Sequence, residues 1–367
     1  MFGFIIYFIL LFSIILSAIK INEHLKSKQF WIYACIGLLP FIFIEGFRYN
    51  VGMDWPHYRD VYNTIARGGD WHEQDWIFII TGIIFGKYCG LGCWSLFTIL
   101  ATAFIYPIYF YAKRNKKIAL FLIPLYVTIN FCDSEVISRQ YAALGFTYIA
   151  IYYLENKRNY KFIFYMLIGS VFHSTIIIFI PIYWLFYRNF FHFQCKYIYL
   201  GLFLVSILIK DIYRIFPNLN FWLVSGTVLI GKEQYATNSE EFLYGDQFIL
   251  GAINPIYRLF LQIITLIIII EGDRLITQYK SNILYFSYHL STIGLILYPL
   301  FYQQELIKRM ILYFIIFTPI ILAHIYRREF LHLQRLTIKA ALYLLIPIYF
   351  TYTILATGIV SNFQFNF

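Results

Sequence analysis

The chain has 367 residues, of which 60% are hydrophobic, 22% are aromatic and only 13% are charged, and its mean hydropathy is +0.67. Since soluble domains carry roughly a quarter charged residues, this composition excludes a soluble globular enzyme. The net charge of +10 is explained by basic loops that face anionic lipid on the cytoplasmic side, so it gives no reason to expect a nucleic-acid partner.

Apolar runs of spanning or nearly spanning length recur along the whole chain. They cover residues 2–19, 30–44, 94–111, 118–131, 141–154, 162–187, 197–209, 248–270, 283–301, 310–325 and 340–359. Because roughly 20 apolar residues cross a bilayer as a helix, these runs predict an all-α polytopic membrane protein with one integral membrane domain over residues 1–367. The first run lacks a basic segment before it and a small-residue cleavage site, which indicates a retained helix rather than a signal peptide.

The run 162–187 is long for one helix and contains residues that interrupt it. They are Gly169, His173, Ser174 and Pro181. We predict that it forms a helical hairpin, which gives about 12 transmembrane or half-spanning helices with both termini outside. If the run were instead a single span, every later loop would lie on the opposite side of the membrane.

Clusters of basic residues predict the orientation of the first helices. The clusters are Lys20, Lys26 and Lys28; Lys113, Arg114, Lys116 and Lys117; and Lys157, Arg158 and Lys161. Short loops rich in lysine and arginine stay in the cytoplasm. Residues 48–75 and 133–139 are therefore expected together on the outer face.

The long polar segment 211–247 is an extracytoplasmic loop if the hairpin forms. Its aromatic side chains and carboxylates suit sugar rings, which offer CH faces and hydroxyls. The alternative is an amphipathic element that lies in the membrane interface. Loops of this length are usually functional or disordered.

Cysteine usage gives little indication of metal or redox chemistry. Cys89 and Cys93 are four positions apart near the outer face and are the one pair that would suit redox chemistry. No zinc-ligand spacing accompanies them, and no aspartate-rich metal site is evident. We therefore expect neither a metal nor another cofactor.

The most informative segment, residues 47–58, follows the second apolar run and has the sequence FRYNVGMDWPHY. It contains Arg48, Asp54 and His57 in an otherwise apolar chain, and ionisable groups at the edge of a membrane are functional candidates. Gly52 and Pro56 predict a turn that fixes the direction of these side chains. The alternative is a loop whose charges are simply solvated.

The predicted outer face collects further polar groups that suit a phosphorylated lipid substrate. They are Tyr58, Asp133, Glu135, Arg139, Gln140, His173, Arg258 and Arg309. Because arginine binds phosphate oxygens in a bidentate manner, the four arginines, with Arg48 included and Arg258 as the weaker member, predict a site for a polyprenyl diphosphate. For any single arginine, the alternative is snorkelling to lipid headgroups.

Four short motifs resemble those of one family. The pattern R-Y-x-V-G-x-D-x-x-x-Y, from Arg48 to Tyr58, resembles the signature of EpsG-like proteins, the Wzy-type polymerases of bacterial capsule, exopolysaccharide and O-antigen clusters. Three further segments are similar to other motifs of the family: Ser138-Arg139-Gln140, Phe172-His173-Ser174 and Arg309-x-x-x-Tyr313-Phe314. The end of the chain departs from the family, because it lacks a Pro-Tyr-type tail.

The resemblance implies a reaction and a set of partners. A growing glycan on undecaprenyl diphosphate would be transferred to a lipid-linked repeat unit on the outer face of the inner membrane. Donor and acceptor would both be undecaprenyl-diphosphate-linked oligosaccharides, surrounded by membrane lipids, and a chain-length regulator protein is a further implied partner. The implied fold is like that of the GT-C glycosyltransferases.

The expected reaction needs a base for the acceptor hydroxyl and cations for the leaving diphosphate. Asp54 and His173 are the two candidate bases, and Asp54 is favoured because the turn at Gly52 and Pro56 would hold its carboxylate. His173 alternatively binds diphosphate or has a structural role. Expected to bind the glycan are Tyr58, Glu135 and Gln140.

Other classes of membrane protein remain as alternatives. A lipid-linked oligosaccharide flippase or transporter predicts internal repeats and polar residues near the bilayer midplane, whereas the charges here collect on one face. A membrane O-acyltransferase acting on glycans would need groups that reach a cytoplasmic acyl donor. A ligase that moves finished glycan to a lipid core is a close neighbour of a polymerase.

Overall fold

The computed structural model describes residues 2–24, 29–52, 54–69, 76–188, 196–209, 255–302, 305–331, 348, 350–352 and 364–365. The predicted loop 211–247 and most of the run 340–359 lie outside these residues. The chain divides into two compact units. Unit 1 comprises Met1–Leu185 and Leu322–Phe367, and unit 2 comprises Phe186–Ile321.

The described residues of unit 1 begin with nine helices in chain order, the last of which ends in unit 2. They are α1 (Phe2–Glu23), α2 (Phe30–Gly46), α3 (Trp55–Ala66), α4 (Trp76–Thr81, continued by a π-helix over Gly82–Tyr88), α5 (Trp94–Arg114), α6 (Lys116–Val136), α7 (Ser138–Glu155), α8 (Asn159–Phe172, followed by a 3₁₀ turn over Ser174–Ile178) and α9 (Phe179–Tyr187). Helix α1 packs on α2 and α6, and α5 packs on α2 and α7. These contacts bring the ends of α2, α6 and α7 together.

The described part of unit 2 is helical, and one of its helices continues as a π-helix. They are α10 (Lys196–Leu208), α11 (Pro255–Ile267, continued by a π-helix over Ile268–Gly272), α12 (Asp273–Tyr279), α13 (Asn282–Leu300), α14 (Glu305–Ile315) and α15 (Thr318–Leu331), the last of which continues into unit 1. Helix α13 packs against α10, α11 and α14.

Five described helices are long and apolar enough to cross a membrane. They are Gly3–Glu23, Trp94–Arg114, Lys116–Val136, Asn282–Leu300 and Ile307–Arg328, the last of which covers most of α14 and α15 as one span. Shorter apolar helices are Phe30–Gly46, Trp76–Tyr88, Ser174–Tyr187 and Lys196–Leu208. The prediction of an all-α polytopic membrane protein is thus confirmed, while the count of about 12 spans and the GT-C arrangement stay predictions.

Close helix packing in unit 1 depends on small residues. A Cβ atom at Gly145 would lie 2.3 Å from the carbonyl oxygen of Ala103, so the backbones of α7 and α5 approach more closely than any larger side chain would permit. Small residues at helix interfaces allow this approach in membranes, where van der Waals packing drives helix association. The contact fixes α7, which carries Ser138 and Arg139 in its first turn.

The predicted interruption of the run 162–187 lies at His173. Helix α8 ends at Phe172, His173 has extended backbone angles, and the chain continues as a 3₁₀ turn before α9. The extended residue breaks the helix, because it removes the regular backbone bonds that continue it. The hairpin itself, and the loop orientations that depend on it, stay predictions.

One feature of the fold was missed by an all-α prediction. Strand β1 (Arg48–Tyr49) pairs with strand β2 (Gln364–Phe365) in an antiparallel two-stranded sheet, with Arg48 opposite Phe365. The ring of Phe365 also lies 5.9 Å from the ring of Phe43 on α2. The two strands are too short for a periodic pattern to reveal them.

Candidate functional site

The segment between α2 and α3 closes tightly onto the end of α6. Gly52 has a φ of +91°, and a Cβ atom there would lie 2.1 Å from the carbonyl oxygen of Glu135. Only glycine combines this left-handed backbone with so close an approach. The indole nitrogen of Trp55 donates to the carbonyl oxygen of Arg48 at 3.2 Å. Both ends of the turn are thereby fixed.

Arg48 lies inside the protein, with only 3% of its side chain exposed. Its Nη1 donates to Glu45 at 2.8 Å, and its Nη2 donates to the hydroxyl of Ser138 at 2.7 Å and to the carbonyl oxygen of Glu135 at 3.3 Å. The carboxylate of Glu135 is 3.6 Å from Nη1 and accepts a hydrogen bond from Tyr7 at 2.7 Å. These contacts join α1, α2, α6 and α7 around one guanidinium.

Asp54, Tyr58 and Arg139 form a chain of hydrogen bonds. The phenol of Tyr58 donates to Oδ2 of Asp54 at 3.0 Å, and Nε of Arg139 donates to the same phenol oxygen at 3.0 Å. Tyr58 is 2% exposed, whereas Asp54 and Arg139 are half-buried. One buried hydroxyl therefore links a partly exposed carboxylate to a partly exposed guanidinium.

The protonation state of Tyr58 follows from its surroundings. Burial raises the pKa of the Tyr58 phenol, Arg139 opposes this shift, and the carboxylate of Asp54 adds to it. The phenol therefore keeps its proton at neutral pH and remains a donor to Asp54. It holds the carboxylate and the guanidinium in a fixed relation.

Aromatic rings orient Arg139. The centre of its guanidinium lies 4.8 Å from the ring of Tyr58 and 4.7 Å from the ring of Phe78 on α4. Cation–π contacts of this kind contribute on the order of 0.5–2 kcal/mol. They favour the planar guanidinium over an ammonium group at this position.

The three residues predicted to bind the glycan are all buried. The exposed fractions are 2% for Tyr58, 1% for Glu135 and 3% for Gln140. A sugar would reach these side chains only if the helix packing opened, so the geometry favours roles within the protein. The prediction that these residues lie on the outer face indicates which end of a helix carries each of them. It does not indicate the direction in which each side chain points.

The remaining predicted residues lie at separate places in the fold. His57 is exposed on α3, and Asp133 accepts a hydrogen bond from Tyr141 at 3.3 Å. His173 is half-buried at the end of α8 in unit 1. The structure therefore brings Arg48, Asp54, Tyr58, Glu135 and Arg139 together around one turn.

Arg258 and Arg309 both belong to unit 2. Both are half-buried, Arg258 on α11 and Arg309 on α14. Within the described part of the chain, Nε and Nη2 of Arg258 are buried and have no hydrogen-bond acceptor. Buried guanidinium donors of this kind suit an anionic ligand.

Sequence reasoning missed Glu45, Tyr7 and Phe78. Glu45 had a usable signal, because it is a carboxylate in the last turn of an apolar helix, three positions before Arg48. Tyr7 and Phe78 had none, since each is one aromatic residue among many in an apolar run. Their contacts depend on the tertiary fold.

Within the described ranges, no group of three or more histidine, cysteine, aspartate or glutamate side chains is placed to hold a metal ion. Cys89 and Cys93 are not joined by a disulfide bond.

Comparison with curated proteins gave no match, and comparison with solved structures gave none either. A family model does match, over residues 31–367, and this range contains Arg48, Asp54, Tyr58 and Arg139. With nearly the whole chain matched, this protein belongs to the EpsG family, the family of Wzy-like polysaccharide polymerases.

Proposed function

We propose that this protein is a polysaccharide polymerase of the bacterial inner membrane. It transfers a growing glycan from undecaprenyl diphosphate to a sugar hydroxyl of a new lipid-linked repeat unit on the outer face of the membrane. Family membership supports the general activity. The observation that carries the specific reaction is the chain of hydrogen bonds from Asp54 through Tyr58 to Arg139.

In this proposal Asp54 is the general base. Its Oδ2 is bonded to Tyr58, and Oδ1 remains for the acceptor hydroxyl, which must lose its proton as the new glycosidic bond forms. A base within hydrogen-bond reach of that hydroxyl typically contributes about 10²–10⁴-fold in rate. His173 is the alternative base.

The leaving group requires positive charge. The bond between the anomeric carbon and the diphosphate breaks as the acceptor attacks, and negative charge grows on the diphosphate oxygens. Arg139 is the proposed cation beside Asp54, and Arg309 and Arg258 are the proposed further cations.

We also propose a GT-C-like arrangement of about 12 transmembrane or half-spanning helices.

The function is tested by incubating the purified protein in detergent with lipid-linked repeat units and separating the products by size. A polymerase joins units into a ladder of longer glycans and releases undecaprenyl diphosphate. Since detergent leaves no membrane to cross, a flippase would produce no longer glycan, and an acyltransferase would add only the mass of an acyl group. The absence of a ladder from freshly purified, monodisperse protein would contradict the proposed function.

The predicted topology is tested by labelling single cysteines with a membrane-impermeant maleimide in intact cells. His57 and Lys157 are both exposed, and Asn238 lies in the predicted outer loop. We expect labelling from outside at His57→Cys and Asn238→Cys, and labelling only after lysis at Lys157→Cys, because short basic loops stay in the cytoplasm. Labelling of Asn238→Cys only after lysis would rule out the hairpin.

A further inference from the structure

Unit 1 contains a buried ion cluster formed by Glu45, Arg48 and Glu135. The exposed fractions of their side chains are 6%, 3% and 0%, respectively. Arg48 forms ion pairs of 2.8 Å with Glu45 and 3.6 Å with Glu135. The three residues come from the end of α2, the turn that follows it and the end of α6.

Among the described residues, the surroundings of the cluster leave little room for a diphosphate. A cavity beside Arg48 has a volume of about 20 Å³, which is enough for a single water molecule. The ring of Phe97 lies 5.6 Å from the guanidinium, and the hydroxyl of Ser138 already accepts a hydrogen bond from Nη2. A diphosphate would have to displace several of these contacts to reach Arg48.

The charges in the cluster also oppose an anionic ligand. One guanidinium faces two buried carboxyl groups, which also interact with each other. A diphosphate would have to compete with two carboxyl groups for the single guanidinium that already pairs with both, and breaking a buried ion pair is costly. Arg48 therefore differs from Arg139, which is half-buried and held between aromatic rings.

The cluster is linked directly to the turn that carries Asp54. The side chain of Arg48 donates to the carbonyl oxygen of Glu135, and Gly52 packs against that same oxygen. The carbonyl oxygen of Arg48 in turn accepts the bond from Trp55, the first residue of α3. Arg48, Gly52 and Trp55 are thus held in place by groups that depend on the cluster.

We infer that Arg48 is a positioning residue rather than a diphosphate ligand, and that Glu45 and Glu135 are its partners in holding Asp54 in place. This inference rests on the proposed function where it treats Asp54 as the base. It assigns positioning roles to Glu45, which sequence reasoning missed, and to Glu135, which was predicted to bind the glycan. Arg48 acts on the reaction only through the position of the turn.

The test compares Arg48→Met with a triple variant that also carries Glu45→Gln and Glu135→Gln. Removing the guanidinium alone leaves two buried carboxyl groups without their cation, whereas the triple variant removes the charges together, and such neutral replacement is often tolerated. We expect Arg48→Met to lower kcat at least about tenfold with the donor KM changed less than about twofold. We expect the triple variant to recover most of that loss.

A second readout does not depend on activity. Val51 is 2% exposed within the turn. In a chain whose five native cysteines are replaced by serine, Val51→Cys should react slowly with a maleimide. Adding Arg48→Met should raise its rate of labelling at least about fivefold, because the turn opens locally, and the two glutamine substitutions should restore protection. Adding Arg139→Met instead is the matched control and should leave position 51 protected.

The outcomes are distinct. A donor KM that rises with Arg48→Met, or a triple variant that stays protected at position 51 but inactive, would show that Arg48 contacts the substrate and would overturn the inference. Equal protection at position 51 with and without Arg48 would also overturn it. If wild-type protein makes no polymer, the proposed function fails, and the labelling rates alone decide the positioning role.

Discussion

Replacing Asp54 by asparagine is expected to lower the rate of chain extension by about 10²–10⁴-fold, the usual contribution of a general base. The amide still accepts the hydrogen bond from Tyr58 that Oδ2 accepts at 3.0 Å, so the fold and the lipid binding should persist. What is lost is the ability to take the proton of the acceptor hydroxyl. The measurement is the initial rate of extension with purified lipid-linked repeat units.

Two variants make this result specific. Asp60→Asn is the matched control, because Asp60 is an exposed carboxylate on α3, the helix that Asp54 immediately precedes, and pairs with Arg59 at 2.8 Å. It should keep the wild-type rate. His173→Gln tests the alternative base. An Asp54→Asn variant that still makes substantial polymer, together with an inactive His173→Gln variant, would transfer the role of base to His173.

The second large effect is expected at Arg139. Arg139→Lys should be nearly as damaging as Arg139→Ala and should lower extension by about 10²-fold or more, the typical loss when one preorganised donor to a developing negative charge is removed. A lysine ammonium carries the charge but cannot stack between Tyr58 and Phe78 or donate from Nε to the phenol. The loss should be visible in both kcat and the donor KM, because the ground state already carries a charged diphosphate.

The matched control is Arg59→Lys. Arg59 also lies over an aromatic ring, 5.4 Å from that of Trp55, but it pairs with the exposed carboxylate of Asp60. The same substitution there should leave extension nearly unchanged, since exposed ion pairs contribute little. If Arg139→Lys extended glycans at close to the wild-type rate, the site would need only charge, and the planar guanidinium would have no special role.

Much of the site could be predicted because its residues are unusual in their sequence context. A charged turn with Gly52 and Pro56 after an apolar run, and an arginine at the start of α7, both contrast with an apolar chain. The distribution of basic loops then predicts that they share one face. The contact between Tyr58 and Arg139 is consistent with that expectation.

The depth and direction of individual side chains could not be predicted in the same way. Arg48 and Arg139 look equivalent in the sequence, yet one is enclosed by carboxyl groups and the other is held between rings. The difference arises from partners distant along the chain, such as Tyr7 with Glu135 and Arg48 with Ser138. Such contacts follow from helix packing, which residue spacing alone does not specify.

The pairing of β1 with β2 has a consequence for the order of biosynthesis. The partners of Arg48 and Tyr49 are Phe365 and Gln364, so the whole stretch between the two strands must leave the ribosome before this sheet can form. Contacts between such distant positions also form slowly, because the chain entropy of closing the loop opposes them. A nascent chain therefore holds the turn that carries Asp54 without one of its neighbours until β2 has been synthesised. Formation of the sheet ties the final structure around this turn to a strand made long after it.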